Sequence, residues 1–151
     1  MTSNVVNRKT IRQTLAAAMT TDLVGVTKAA KKLYDYKVSE FSAETTHIIV
    51  VTSGPTDRAR QAETTRVHSF VDLEIWTFVL YSADGWTEEN SEDKADDMEK
   101  EIMDWLMDHA DTSDVWAGIQ LNGSTEMDFK VVGGKTYRTE VIPIRLELYS
   151  E

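Results

Sequence analysis

The sequence predicts one α+β domain over residues 1–151, with a mainly antiparallel sheet of about four strands and two principal helices packed on one face. Three observations predict this class. Two segments repeat apolar residues at helical spacing, two β-branched runs lie between them, and a Gly-Gly pair joins two further β segments. The predicted order is therefore helix, strand, loop, strand, helix and hairpin, without an internal repeat or a linker.

The first predicted helix lies in NRKTIRQTLAAAMTTDL, where Asn7 is a suitable N-cap. Its apolar residues recur at helical spacing at Ile11, Leu15, Ala18 and Met19. The segment 24–41 is open to two interpretations, because TKAAKK is compatible with one more helical turn and LYDYKV with an extended chain.

Two strands are predicted in the middle of the chain. The run THIIVVTS (46–53) is β-branched, and RVHSFVDLEIWTFVLYS (66–82) starts amphipathic and ends apolar on both faces. The second half of this strand is therefore expected to be central in the sheet or covered by a partner. Between them, GPTDRARQAET (54–64) combines Gly-Pro with charged residues and has no apolar side chain larger than alanine apart from the proline. We interpret this segment as an exposed loop, longer than most connections.

The second predicted helix contains the most acidic part of the chain, since residues 88–111 hold eleven of the 26 Asp and Glu residues and only two lysines. Ser91 is a suitable N-cap. An apolar stripe at helical spacing consists of Ala95, Met98, Ile102, Trp105, Leu106 and His109. Of these, we expect Ile102, Trp105 and Leu106 to be core residues. The acids mostly lie off the stripe, which is typical of a solvated helix face.

A hairpin is predicted over residues 119–148, because Gly133-Gly134 has the chemistry of a two-residue turn. The expected pairs are Val131–Thr136, Phe129–Arg138 and Met127–Glu140, continued by Thr125–Ile142, Leu121–Leu146 and Ile119–Leu148. This register places most of the apolar residues on one side of the hairpin, which supports it. Pro143 lacks an N–H, so its strand is expected to be an edge, at least locally, or to carry a bulge.

The net charge of −10 is unevenly distributed. Residues 1–68 hold ten Lys and Arg against six acids, whereas residues 84–114 hold thirteen acids against two bases. Such a chain is expected to meet two different neighbours, and its overall charge argues against indiscriminate binding of nucleic acid or anionic membranes. The lack of cysteine, of a membrane-spanning apolar run and of a signal-like start predicts folding in a reducing cytoplasm.

No motif in the sequence predicts catalysis, a metal site or a cofactor. The acids of 88–111 lack the spacing of a calcium loop, and hard-cation sites draw oxygens from several elements or from a folded loop. The histidines at 47, 68 and 109 lack ligand spacing, and VVGGKT lacks the first glycine of a phosphate loop. We therefore predict a structural or interaction protein. The alternative from another class is a small metal-dependent hydrolase that uses residues 88–111.

A series of segments follows one layout along residues 8–149. It begins with the cationic helix RKTIRQTLAAAM, a LYDY segment before the first strand, and a long strand that ends in WTFVLYS. It continues with the helix ADDMEKEIMDWL, the segment WAGIQLNGSTEMDF and the closing GGKTYRTEVIPIRLEL. In this layout and in its length the chain resembles the tail terminator (tail completion) proteins of long-tailed bacteriophages.

This resemblance implies a homo-oligomeric ring, usually a hexamer, that caps the tail tube, stops its polymerisation and joins it to a neck or head-completion protein. The implied location is the head-proximal end of the virion tail, after assembly in the host cytoplasm, and DNA passes through the ring without specific binding. The candidate interface residues are Asp57, Arg58, Arg60 and Arg66 of the loop 54–66, and Pro143 of an apolar edge strand. A neck or head-completion connector is the alternative within the phage class.

Overall fold

The computed structural model describes residues 7–41, 46–60, 67–81, 86–109, 116–121 and 123–150, and for 57–60, 67, 149 and 150 the backbone alone. Its helices are α1 (Arg8–Leu23) and α2 (Glu88–Asp108). Its strands are β1 (Lys32–Tyr34), β2 (His47–Arg60), β3 (Val67–Leu80), β4 (Gly118–Leu121), β5 (Glu126–Val132) and β6 (Lys135–Ser150). The chain is α+β, as the sequence predicts, but the sheet has six strands rather than about four.

The six strands form one mixed sheet in the order β1-β2-β3-β6-β4, with β5 also paired to β6. Among the described strands, β1 is parallel to β2 and the other pairings are antiparallel. Since β3 occupies one edge of β6, β4 and β5 must lie end to end along the other edge. The additional strands β1 and β4 have three and four residues, too few for an alternating pattern to be recognised in the sequence.

The segment 24–41 contains β1, which includes Leu33 and Tyr34 of LYDYKV, so the predicted extended chain is confirmed for these two residues but not for 35–38. TKAAKK is not helical, which makes the alternative of a further helical turn wrong. It forms a tight reversal in which Val24 and Ala30 make an isolated bridge. Both Ala29 and Ala30 are fully buried there, so this short segment connects α1 to the edge of the sheet by packing rather than by helical hydrogen bonds.

The loop predicted at 54–64 is wrong up to Arg60, because β2 continues to that residue through a bulge at Gly54 and Pro55. A bulge accommodates a proline because the ladder needs no N–H at that point. Glycine fits beside it, since a Cβ on Gly54 would lie 3.0 Å from the carbonyl oxygen of Asp72. The Gly-Pro pair therefore marks an irregularity within a strand rather than its end.

α1 begins as predicted, because the Asn7 side chain accepts a hydrogen bond from the backbone N–H of Lys9 at 2.8 Å. α2 begins earlier than predicted. Its N-cap is Thr87, whose hydroxyl oxygen accepts a hydrogen bond from the N–H of Asn90. The predicted cap, Ser91, lies inside the helix and is fully buried. The acids at 88 and 89 are consequently in the first helical turn, where they interact favourably with the helix dipole.

The core consists of two clusters, formed by alternate residues of the same strands and therefore on opposite faces of the sheet. The larger contains the buried residues of α1 and α2 together with alternate residues of β2, β3 and β6, such as Leu73 and Ile144. The smaller contains residues of the other parity, such as Phe78 and Tyr137. The predicted core residues of α2 are confirmed as buried: Ile102, Trp105 and Leu106.

The predicted turn at Gly133-Gly134 is confirmed, with positive φ at both glycines. The first predicted pairs are also confirmed: Val131–Thr136, Phe129–Arg138 and Met127–Glu140. The predicted continuation is wrong, because Ile119 pairs with Leu146 and Leu121 with Ile144, while Thr125 lies before the start of β5.

The register changes because β4 and β5 are separated by four residues, 122–125, opposite only two residues of β6. An insertion of two residues returns each following side chain to the same face. The apolar pattern on which the prediction rested therefore cannot detect it. Pro143 lies on β6 opposite this interruption. β6 is not an edge strand, but at Pro143 its outer side has no ladder partner among the described residues, so the missing N–H costs no hydrogen bond there.

Candidate interaction surface

The outer edge of the sheet carries four exposed apolar side chains. They are Leu121 (45% exposed), Met127 (52%), Phe129 (46%) and Val131 (70%), on β4 and β5. We refer to these four residues as the edge stripe. Among the described residues no further strand pairs with β4 or β5. The edge stripe therefore lies along a free strand edge, an arrangement that favours contact with another chain.

Phe129 is held within the edge stripe by an aromatic neighbour. Its ring meets the ring of Tyr81 edge to face, with centroids 4.9 Å apart. Tyr81 is itself fixed at the end of β3, where its backbone N–H donates to the carbonyl oxygen of Thr136 at 3.1 Å. The exposed half of Phe129 is thus presented by a supported ring. Such a side chain loses little conformational entropy when a partner covers it.

β6 lies between the edge stripe and the acidic helix α2, and one of its residues contacts both. Arg138, the cross-strand partner of Phe129, is 8% exposed. Its guanidinium Nη1 lies 3.3 Å from a carboxylate oxygen of Glu92 and 4.0 Å from one of Asp96. This buried arginine compensates only part of the negative charge at the surface, because both carboxylates remain more than half exposed.

Glu140 shows how crowded the carboxylates are beside the edge stripe. Burial raises the pKa of this carboxyl above its usual value, and the charges of Glu99 and Asp96 raise it further. A hydrogen bond from Thr125 and the charge of Arg138 act in the opposite direction without cancelling the increase. The surface formed by α2 and β6 is therefore anionic beyond what its one buried arginine neutralises.

The opposite flank of the sheet carries a groove between α1 and β1. The groove encloses about 340 Å³ and is lined by residues 13, 16, 17 and 20 of α1 and by residues 32–36. Its lining includes two small residues, Ala16 and Ala17, and the larger apolar side chains of Leu33, Tyr34 and Tyr36. We refer to it as the α1–β1 groove. Small helical residues opposite aromatic ones create a shallow depression at the sheet edge, and polar side chains also line it: Gln13, Thr20, Lys32 and Asp35.

The charges of the two flanks have opposite sign. Residues 7–40 hold seven Lys and Arg against three acids, whereas residues 88–108 hold ten acids against two lysines. α1 contacts β1 and β2, and α2 contacts β3 and β6. Because β1 and β2 lie at one end of the strand order and β3 and β6 lie further along it, the charge polarity of the sequence becomes a spatial polarity across the sheet.

A larger concavity, of about 440 Å³, lies over the smaller core cluster. Its lining includes the aromatic rings of Phe41, Trp76 and Phe78 and the ammonium-bearing side chains of Lys37 and Lys130. The Nζ atom of Lys130 lies 4.4 Å from the centroid of the Trp76 ring, a cation–π contact. Glu74 also lines the concavity, which therefore combines an aromatic floor with charged groups of both signs.

The candidate interface residues from the sequence do not form one cluster. Asp57, Arg58 and Arg60 belong to β2 instead of a loop, and Arg66 lies outside the described residues. Arg58 pairs with position 69 of β3, whereas Pro143 pairs with position 74. Five residues of a strand span about 16 Å. The structure therefore separates Pro143 from Arg58 and Arg60 along the strands, and the edge stripe is the part of the surface that the sequence interpretation missed.

One signal in the sequence could have identified the edge stripe. A helix is about 10 Å wide and strands lie about 4.8 Å apart, so two helices cover roughly four strands. An amphipathic strand at the end of a wider sheet is left uncovered. β5 alternates apolar residues with Glu126, Asp128 and Lys130, as expected for such a strand. In the sequence this apolar side supports the hairpin register, but it does not show whether a helix covers it.

His47 is buried at the start of β2. Burial, together with the charges of Lys94 and Lys31, lowers its pKa from 6.5 to about 4. Its Nδ1 lies 2.8 Å from the hydroxyl of Thr46, and its ring stacks on Trp86 with centroids 6.4 Å apart. The imidazole is therefore neutral at pH 7 and packs as part of the protein interior.

The other two histidines each lie near one carboxylate. The Nε2 atom of His68 is 3.0 Å from Glu147, and that of His109 is 3.4 Å from Asp22. Within the described parts of the chain, no group of three or more His, Cys, Asp or Glu residues is arranged to hold a metal ion. Neither described helix is long and apolar enough to cross a lipid bilayer.

The fold and this surface define an α+β domain with an uncovered sheet edge and two flanks of opposite charge. Comparison with protein-family models finds no family that matches the chain, and comparison with characterised proteins finds no significant relative.

Proposed function

We propose that this chain is a structural virion protein that forms a ring, hexameric as in the tail terminators that it resembles. The ring caps the tail tube, stops its polymerisation and provides the surface to which the head joins. The observation that carries this proposal is the edge stripe on a free strand edge, together with the opposite charges of the two flanks. A subunit with unlike flanks associates head to tail, and head-to-tail association closes into rings when the rotation between subunits allows it.

In this proposal both helices pack on one face of the sheet, and the other face remains available to a different partner. The aromatic concavity of that face, with Lys37 and Lys130 at its margin, supports contact with the tail tube protein or with the neck or head-completion protein. The two flanks of the subunit then contact neighbouring subunits of the ring. The aromatic concavity contacts a partner above or below the ring, at the head-proximal end of the tail.

In the proposed ring the acidic surface acts through its charge alone, without catalysis or metal binding. DNA passes through the tail, so a ring around its path must not retain phosphate groups. A net charge of −10 and a helix with ten acids support repulsion of DNA rather than specific binding. The same charge keeps separate subunits soluble before assembly.

Tail tube assembly tests the proposed function directly. The tail tube protein from the same genome is polymerised with and without this chain, and tube lengths and ends are measured by negative-stain electron microscopy. We expect a ring at one tube end and tubes that stop growing. Tubes that continue to grow, with ends that carry no ring, would contradict the proposal.

Two further measurements separate the alternatives. A neck or head-completion connector would bind DNA-filled heads in the absence of tails, whereas a tail terminator binds first to the tube. A metal-dependent hydrolase would show saturable binding of Mg²⁺, Mn²⁺ or Ca²⁺ by calorimetry. We expect binding to tubes and no saturable metal binding.

A further inference from the structure

We infer that the edge stripe of one copy binds the α1–β1 groove of a second copy, with α2 of the first facing the lysines around that groove. This inference rests on the proposed ring and assigns its two contacting flanks. It goes beyond the ring itself, because it identifies the elements and residues on each side of the interface between neighbouring subunits.

The apolar parts of the two flanks match in character. Phe129 and Met127 are about half exposed on β5, and Tyr81 supports the Phe129 ring. The α1–β1 groove is a depression of about 340 Å³ lined by Ala17 and Leu33 among others. A supported aromatic side chain and a depression with apolar residues in its lining are usual components of an interface centre. No described residue of the same subunit covers the exposed side of Phe129 or fills the groove.

The charges around these apolar parts are complementary. Lys31 and Lys32 are exposed beside the α1–β1 groove, and Lys32 contributes to its lining. Asp35 also lines the groove, so the two lysines exceed the acids there by one charge. Glu92 and Asp96 are exposed beside the edge stripe and are only partly compensated by Arg138. Contact between these flanks brings opposite charges together at the margin of the interface, where they steer association.

Complementarity also decides between head-to-tail and two-fold association. A two-fold interface places the same surface of both subunits together. Two edge stripes would then bring two acidic α2 helices together, and two α1–β1 grooves would bring two cationic flanks together. Both arrangements are repulsive. Because the two flanks lie at opposite ends of the strand order, one subunit cannot satisfy them internally. Each copy therefore binds two neighbours.

Complementation of two single variants tests the inference. Phe129→Asp disables the edge stripe, and Ala17→Arg, at an exposed position of α1, fills the α1–β1 groove. Mass is measured by native mass spectrometry and by light scattering after gel filtration. We expect wild-type protein to form closed oligomers and each variant to be monomeric. An equimolar mixture should form a dimer and nothing larger, because each variant retains the flank that the other lacks.

Matched controls keep the result interpretable. Met107→Asp replaces an exposed apolar residue of α2, and Thr21→Arg adds a cation to α1 outside the groove lining. Both should assemble as wild type does. Circular dichroism confirms folding of each variant, and Val131→Asp, at the most exposed position of the edge stripe, replaces Phe129→Asp if that variant does not fold.

The outcomes distinguish this inference from the proposed function. Wild-type protein that remains monomeric, variants that assemble normally, or a mixture that remains monomeric would each overturn the head-to-tail interface. If wild-type protein assembles and the variants do so equally well, the ring proposal stands with a different interface. If the mixture forms the dimer but wild-type protein does not cap tubes, the interface stands and the proposed function falls.

Discussion

His47 links the protein interior to the pH dependence of stability. Its pKa is about 4 in the folded chain, below the usual 6.5, because burial and the charges of Lys94 and Lys31 disfavour the imidazolium ion. Between these two values the unfolded chain binds the proton more readily than the folded chain does. The stabilising effect of a neutral His47 is therefore complete above about pH 6.5 and is lost as the pH falls towards 4.

We predict that His47→Asn reduces this acid sensitivity. Asn cannot be protonated in this range, and its amide can still pair with the hydroxyl of Thr46. Between about pH 7 and pH 4.5, wild-type protein should lose about 2 kcal/mol more unfolding free energy than the variant, at about 1.4 kcal/mol per pKa unit. Urea denaturation at the two pH values measures the difference. Equal losses in the two proteins would show that His47 is protonated without cost in the folded chain.

At the scale of a single element, α2 has one face in the core and one in solvent. Leu106 is fully buried in the larger cluster, whereas Asp97 is exposed on the other side of the helix. We predict that Leu106→Ala costs about 2–5 kcal/mol, because it leaves a cavity in a packed core. Asp97→Ala should change stability by no more than about 0.5 kcal/mol. Chemical denaturation gives both values, and similar costs would mean that the helix is rotated about its axis.

The β5–β6 turn provides a second test at this scale, because its two glycines differ in their surroundings. Both have positive φ, 58° at Gly133 and 81° at Gly134. A Cβ on Gly133 would lie 2.7 Å from the Cγ of Glu40, whereas a Cβ on Gly134 would meet no heavy atom within 4 Å. We predict that Gly134→Ala costs about 1–2 kcal/mol through backbone strain alone. Gly133→Ala should cost more in thermal or chemical denaturation.

A double variant separates the two contributions at Gly133. Glu40→Ala removes the Cγ atom that the new methyl group would meet, but it leaves the backbone conformation unchanged. The cost of Gly133→Ala in that background should fall to the cost of Gly134→Ala. If it does not fall, the contact with Glu40 is absent in solution.

The elements also show where sequence patterns fail. The Gly54-Pro55 pair has the chemistry of a loop, yet long-range pairing with β3 keeps it inside β2 as a bulge. The interruption between β4 and β5 inserts two residues, and the parity of the side chains does not change. In both cases the local pattern is compatible with two structures, and pairing across the sheet selects one.

At the scale of the whole molecule, the acids of α2 form an exposed anionic surface. Asp93, Asp97, Glu101 and Asp108 are exposed. We predict that a variant with Asn or Gln at these four positions keeps its fold and is retained more strongly by DNA at low salt, because less negative charge repels the phosphates. Retention on a DNA column at low and high ionic strength measures this. A matched control removes four lysines instead, and it should weaken retention.

Unchanged retention of the neutralised variant would argue against a repulsive role of α2. Increased retention that persists at high salt would also argue against it, since screening removes long-range repulsion between exposed charges. Circular dichroism and the unfolding midpoint establish that any change arises from charge rather than from loss of structure.

The sequence alone determined the α+β class, the two helices, the buried stripe of α2 and the Gly133-Gly134 turn, because each rests on short-range periodicity or on the chemistry of a few neighbouring residues. Only the tertiary structure decided the number of strands, the shift of register between β4 and β5 and the exposure of the edge stripe. The physical reason is that burial depends on which element covers a face. Phe129 is an apolar residue, but about half of it remains exposed because α2 packs on β3 and β6 and leaves β5 at the edge of the sheet.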